Sequence, residues 1–149
     1  MKSIILSLAI LCFSACAEYR WASPIAWQAA PELRNVTAKA VSEWQSVSGF
    51  VAVEQAGGIV VRYGNVIEAQ TSWTVDGTRI TGATITISPS HTISLYRLVL
   101  HEIGHALGLA HSTVKQSIMH ATPYVGHLRA DDIAAIRHLY SSGRPGPRP

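Results

Sequence analysis

The residue types that could carry chemistry are concentrated between positions 101 and 111. His101 and His105 are four residues apart, and Glu102 follows the first of them directly. On a helix, side chains at this spacing project from one face about one turn apart. Two imidazole nitrogens placed in that way suit one small cation. Glu102, rotated by about 100° from His101, would flank the cation without needing to bind it.

A third imidazole in the same segment, that of His111, could not reach the same cation from a straight helix. Six residues beyond His105, it would lie about 9 Å further along the axis and about 240° around it. Gly108 lies between the two histidines, and glycine readily adopts the left-handed conformation that ends helices. We therefore predict that the helix ends near Gly108 and that the chain turns to bring His111 back.

Three neutral imidazoles with one open coordination position are typical of a catalytic zinc site. Imidazole also suits copper, nickel and iron, but the absence of thiolates makes one catalytic zinc ion the first choice. The alternative is that a helix carries the two histidines as surface or core residues. The combined pattern makes that alternative improbable, since it requires His101, Glu102, His105, Gly108 and His111 together.

The rest of the chain must supply the elements that position these side chains. Its 149 residues suffice for one domain. Alternating apolar positions predict strands, helical periodicity predicts three helices, and this order of elements indicates an α+β fold. The predicted strands are 19–28, 50–54, 59–63, 68–75 and 79–87, and the predicted helices are 31–48, 92–107 and 131–140.

Composition excludes several classes of protein. Hydrophobic residues make up 48% of the chain and charged residues 14%, which excludes an intrinsically disordered chain and a coiled coil. The net charge of +3 comes from single, scattered basic residues, so we expect no nucleic-acid partner.

The first residues are typical of a secretory signal peptide, which we place at 1–17. One positive charge precedes the apolar stretch 3–13, and small residues follow. Residues 15–17 fit an ordinary signal-peptidase site, whereas residues 13–16 resemble a lipoprotein box with Cys16 as the lipidated first residue. We favour the lipoprotein interpretation, and we expect an exported protein attached to the cell envelope. The domain would then span 18–140, and the tail 141–149 should be disordered.

The spacing H-E-x-x-H-x-x-G-x-x-H resembles that of the metzincin metalloproteases, whose second signature is a methionine-containing turn beneath the zinc. Met119, within the run 117–120, matches that turn. Ser112, directly after the third histidine, is similar to the matrixin branch. The last helix with its pair of aspartates and the run 19–21 also resemble matrixins, so the resemblance covers about 19–140.

A matrixin-type metzincin implies a twisted, mostly parallel five-stranded sheet with an antiparallel edge strand, packed with three helices. It also implies that Glu102 acts as the general base and that the strand 68–75 is the edge that pairs with an extended peptide. Trp73 is first of all a core aromatic, but on that edge strand it could touch substrate. Pro123 and Tyr124 would belong to the substrate pocket, although they follow Met119 at a spacing unusual for the family.

Other features depart from animal matrixins. No cysteine is placed to cap the zinc from a propeptide. Only His91 and Asp76 could serve a second, structural zinc, so we predict none, and calcium is left open. We expect a monomer.

The pattern as a whole predicts an exported zinc-dependent endopeptidase acting on peptides or proteins. The alternatives are a non-catalytic zinc-binding or peptide-binding surface lipoprotein that retains the fold, and a zinc scavenger linked to export. An intact Glu102 argues against the first of these alternatives, because binding alone needs no general base.

Overall fold

The computed structural model describes residues 4–7 and 19–141. The signal-peptide cleavage sites with Cys16, and all of the predicted tail except its first residue, lie outside the described residues. Within the described part of the chain, no helix is long and apolar enough to span a bilayer.

One twisted sheet forms the centre of the domain. Its five body strands lie in the order β5-β6-β4-β2-β3, with parallel pairing throughout except between β5 and β6, which run antiparallel. This confirms the predicted mostly parallel sheet with an antiparallel edge strand. The strands are β2 (Ile25–Ala29), β3 (Ala52–Glu54), β4 (Ile59–Tyr63), β5 (Ala69–Asp76) and β6 (Arg79–Ile87).

A sixth strand, β1 (Ile4–Ser7), lies antiparallel on the outer edge of β5. Its register pairs Ile4 with Val75 and Ser7 with Ser72. The sequence did not predict this strand, because the apolar segment has the composition of a signal peptide. The edge of β5 presents unpaired backbone groups that any extended segment can complete.

Three helices accompany the sheet. A 3₁₀ turn at Pro31–Leu33 leads into α1 (Arg34–Ser48), which ends at Gly49 with a φ of 78°. The second helix, α2 (Leu95–Ala106), begins three residues later than predicted, since the preceding residue, Ser94, has a non-helical backbone with a ψ of 127°. The third is α3 (Ala130–Ser141).

The core fixes α2 against its neighbours. The fully buried Trp44 on α1 donates from Nε1 to the carbonyl oxygen of Leu100 on α2 at 2.9 Å. Trp21 donates from Nε1 to the carbonyl oxygen of Ala106 at 2.7 Å. The predicted first strand 19–28 was therefore too long at its start: Arg20 forms only an isolated bridge with Arg79, Trp21 packs on the end of α2, and the continuous strand begins at Ile25.

Candidate metal centre

The three histidines of the motif converge. His101 and His105 lie one turn apart on α2, with ring centroids 4.6 Å apart. His111 comes from the following loop, and its ring centroid lies 5.3 Å from that of His101 and 4.7 Å from that of His105. One nitrogen from each ring lies within 4.8 Å of the others. The geometry is that expected from the spacing of the three residues.

Gly108 makes the return of His111 possible. Its φ is 108°, and a Cβ at this position would lie 2.1 Å from the carbonyl oxygen of Tyr19. Its N–H donates to the carbonyl oxygen of His105, and the N–H of Leu109 donates to that of Gly104, which closes the end of α2. The turn therefore needs glycine for two reasons: the backbone has a positive φ, and there is no space for a Cβ.

The ring orientations leave two nitrogens facing each other. Nδ1 of His101 donates to the carbonyl oxygen of Ile118 at 2.6 Å, and Nδ1 of His105 donates to that of Leu109 at 2.7 Å. Each Nε2 of a neutral ring then carries only a lone pair. The two Nε2 atoms are 3.0 Å apart, close to the separation of about 3.3 Å that follows from tetrahedral zinc with Zn–N bonds of 2.0–2.1 Å.

Burial keeps these imidazoles neutral. Loss of solvation lowers the pKa of His101 to about 4 and that of His105 to about 3. It also lowers the pKa of His111, although this side chain is the most exposed of the three. Neutral imidazoles are the form that binds a metal, so the donor set fits one divalent cation such as zinc.

Glu102 lies in the same cleft as the three histidines. Its side chain is buried, and its Oε2 accepts a hydrogen bond of 2.5 Å from the hydroxyl of Thr71 on β5. Burial raises the pKa of Glu102 to about 7, and the bond from Thr71 partly opposes this. The sequence did not single out Thr71, since nothing in a strand pattern shows which helix residue it faces.

The turn containing Met119 lies directly beneath α2. Met119 is buried, and a Cβ added to Gly104 would lie 2.3 Å from its Sδ. The carbonyl oxygen of Met119 accepts from the N–H of Ser112, one residue after the third histidine. The glycine inside the helix motif thus lets Met119 pack directly against the helix backbone, and a side chain at Gly104 would displace the methionine.

Asp132 on α3 holds that turn in place. The buried carboxylate accepts from the hydroxyl of Ser117 at 2.5 Å and from the N–H groups of Ile118 at 3.1 Å and Met119 at 3.4 Å. It also accepts from the N–H of Arg129 at 2.8 Å, at the start of the helix. Since the carbonyl of Ile118 orients His101, Asp132 supports a candidate ligand through one intermediate residue.

A cleft of about 480 Å³ opens over the histidines and Glu102. The segment 68–71 forms one wall, and the segment 121–123 forms another. Pro123 lines the cleft as predicted. Tyr124, the next residue, is 65% exposed, and its ring centroid lies 6.1 Å from that of His120.

The side chain of Trp73 lies in the core and is not among the residues that line the cleft. The indole is 7% exposed, lies 5.8 Å from the ring of Tyr19, and donates from Nε1 to the carbonyl oxygen of His105 at 2.9 Å. Strand side chains alternate between faces, and this one points into the core. Trp73 therefore supports the helix from below, in line with its first interpretation as a core aromatic.

Comparison with known proteins agrees with this geometry. The chain is 35% identical over 80 residues to Metalloendoproteinase 2-MMP of Arabidopsis thaliana, covering 51% of this chain and 20% of that protein. It is 45% identical over 60 residues to human matrix metalloproteinase-20, covering 37% of this chain and 11% of that protein. The chain thus spans a fifth or less of the length of these relatives.

Structural and family comparisons extend further along the chain. A solved structure of high choriolytic enzyme 1, a hatching-enzyme zinc protease of the medaka Oryzias latipes, matches with a TM-score of 0.57 at 16% identity, covering 90% of this chain and 99% of that one. This likeness establishes the fold alone. The profile of the matrixin family matches residues 61–141. That match covers more than half of the chain and includes the whole histidine motif, the methionine turn and α3. The chain therefore belongs to the matrixin family.

Proposed function

We propose that the protein is a zinc-dependent endopeptidase that hydrolyses peptide bonds in extended peptides or proteins. The observation that carries the proposal is the meeting of three imidazoles and one buried carboxylate in a single open cleft. A site that only binds metal has no need of a carboxylate beside its ligands.

His101, His105 and His111 would hold the metal. When bound, zinc supplies Lewis-acid polarisation of a substrate carbonyl and makes water a stronger acid. The chain supplies the rigid setting, because Ile118 and Leu109 accept from the outer ring nitrogens of the two buried ligands and fix their orientation.

Glu102 would act as the general base. Its Oε2 is held by Thr71, which leaves Oε1 to take a proton from the attacking water. As the new C–O bond forms and the C–N bond breaks, Glu102 passes that proton to the departing amine nitrogen, so the carboxylate is regenerated. The amine leaves neutral, and the other product is a carboxylic acid that ionises by releasing the second proton of the water to solvent.

The substrate would be an extended peptide bound along β5. The outer edge of this strand pairs antiparallel with β1, so its backbone groups are able to take an added strand. Because β1 belongs to the segment 1–17 that we propose is removed as a signal peptide, this edge would be free in the mature chain. Addition of a strand to a sheet edge gives affinity through main-chain hydrogen bonds. A peptide in that place would pass over Thr71 and the cleft.

We further propose that the protein is exported and anchored by lipid on Cys16. The support is the signal-like segment 1–17 and the small residues before Cys16. Mass spectrometry of the mature N-terminus tests this proposal. An acylated Cys16 is expected, and an unmodified N-terminus at Glu18 would point to ordinary secretion instead.

One purified sample tests the enzymatic proposal. Metal content and cleavage of a mixed peptide library are measured with and without a chelator, for wild type, Glu102→Gln and the surface control Glu32→Gln. We expect one zinc per chain in all three, with hydrolysis in wild type and in Glu32→Gln. Undiminished hydrolysis by Glu102→Gln would refute the mechanism. Zinc binding without hydrolysis by wild type would favour the non-catalytic binding module.

A further inference from the structure

Glu68 lies at one end of the candidate active-site cleft, directly before the first residue of β5. It has a φ of 58°, in the left-handed region that non-glycine residues rarely adopt. Its carboxylate accepts from the N–H of Thr92 at 2.9 Å, from the hydroxyl of Thr92 at 2.5 Å and from the N–H of Ile93 at 3.3 Å. The side chain is therefore held at the wall of the cleft instead of moving freely in solvent.

The hydrogen bonds from Thr92 lower the pKa of Glu68, so the carboxylate is ionised at neutral pH. The described residues lining the cleft include two carboxylic acids, Glu68 and Glu102, and no lysine or arginine. Arg97 lies behind the opposite wall, where Nη1 donates to the carbonyl oxygen of Pro123 at 3.4 Å. His91 is the titratable side chain that acts on Glu68 through its charge. The end of the cleft at Glu68 is thus a fixed negative site.

The direction of β5 relates Glu68 to the ends of a bound peptide. Thr71, three residues after Glu68, lies beside Glu102. A peptide that pairs antiparallel to β5, as β1 does, runs from the Asp76 end of the strand towards Glu68. Three residues of strand span about 10 Å. The segment passing Glu68 is therefore the one on the C-terminal side of the scissile bond, two or three residues beyond it.

We propose that Glu68 is a specificity-determining residue that selects substrates with a lysine or arginine two or three residues after the scissile bond and disfavours acidic side chains there. The proposal rests on the endopeptidase function proposed above. Opposite charges facing each other across paired strands are favourable and like charges are not. A carboxylate that is already oriented loses little freedom when the cation arrives.

The test uses the zinc-loaded full chain. A peptide cleaved by wild type is first found in a mixed library, and Lys, Gln or Glu is then placed in turn at each of the four positions after its scissile bond. At pH 8 and low ionic strength, we expect kcat/KM to be about two- to fivefold higher with Lys than with Glu at the second or third position. The preference should arise mainly in KM and should fall in about 0.5 M NaCl, since salt screens exposed charges.

Two variants separate the charge of Glu68 from its structural role. Glu68→Gln keeps the shape and an acceptor oxygen but removes the charge, so the ratio of its kcat/KM values for the Lys- and Glu-containing peptides should fall to about one, whatever its rate on the Gln-containing peptide. Glu32→Gln, which removes an exposed carboxylate outside the cleft, should retain the preference. An unchanged preference in Glu68→Gln, or none in wild type, would overturn this inference while leaving the peptidase proposal intact. Failure of wild type to cleave any peptide would instead remove the proposed function.

Discussion

The hydroxyl of Thr71 donates to Oε2 of Glu102 at 2.5 Å, and the same hydroxyl lies 3.3 Å from the carbonyl oxygen of Glu102. One side chain of the edge strand thus fixes both the backbone and the carboxylate of the candidate base. The strand that would receive substrate and the helix that would hold the metal are joined at the point where the chemistry is proposed to occur.

Thr71→Val removes this hydroxyl with almost no change of shape. We expect kcat to fall by about 10- to 100-fold, as is typical when the partner that orients a group in a metal site is lost. Zinc content should not change, because Thr71 is not one of the three candidate ligands. Thr71→Ser, which keeps the hydroxyl, serves as the control in the same steady-state assay. Equal kcat values for the Val and Ser variants would show that the bond has no part in catalysis.

Gly108 offers a test of how His111 is placed. In Gly108→Ala the new Cβ would meet the carbonyl oxygen of Tyr19 at 2.1 Å, so the loop must move and take His111 with it. We expect zinc affinity to fall at least tenfold, measured by competition with a chromophoric chelator. The control is Gly77→Ala, where φ is 58° and nothing lies within 4 Å of the added Cβ. That variant should lose about 1 kcal/mol of stability from backbone strain alone and bind zinc normally.

The spacing of His101, His105 and His111, with Gly108 between them, was sufficient to predict the convergence of the rings, since helix periodicity and one forced turn determine it. The contact between Thr71 and Glu102 could not be predicted in the same way. It depends on how β5 is placed against α2, and a strand pattern reports which face is buried but not its partner. The bonds from the N–H groups of Thr92 and Ile93 to Glu68 could not be predicted either, because their acceptor lies in a distant part of the chain.

Asp132→Ala tests the support beneath the metal site. The substitution leaves the buried hydroxyl of Ser117 and the buried N–H group of Ile118 without their acceptor, whereas the N–H of Met119 still donates to the hydroxyl oxygen of Ser117 at 2.9 Å. Unsatisfied buried donors cost about 1–3 kcal/mol each, so we expect the free energy of unfolding to fall by about 3–5 kcal/mol in chemical denaturation. The neighbouring exposed Asp131 provides the matched control, and Asp131→Ala should stay within about 1 kcal/mol of wild type. A similar loss in both variants would attribute the effect to the start of α3 instead of the turn.

Removal of metal should destabilise the whole domain, because the two Nε2 atoms of His101 and His105 face each other at 3.0 Å with neutral rings. Without a cation between them, two buried lone pairs repel each other and neither has a donor. A ligand that binds only the folded state adds about 4 kcal/mol to stability when its free concentration is 1,000 times Kd. We therefore expect zinc to raise the Tm of the chelated protein by about 10 °C or more in a thermal melt.

Two controls make the zinc effect specific to the histidines. Magnesium should leave Tm unchanged, since it prefers oxygen ligands and binds imidazole poorly. His105→Ala removes one of the facing rings, so its chelated form should lack the repulsion and its Tm should respond far less to zinc than that of wild type. A zinc response of equal size in His105→Ala would mean that the ion binds elsewhere on the chain, and the three converging imidazoles would then have to be explained without a metal.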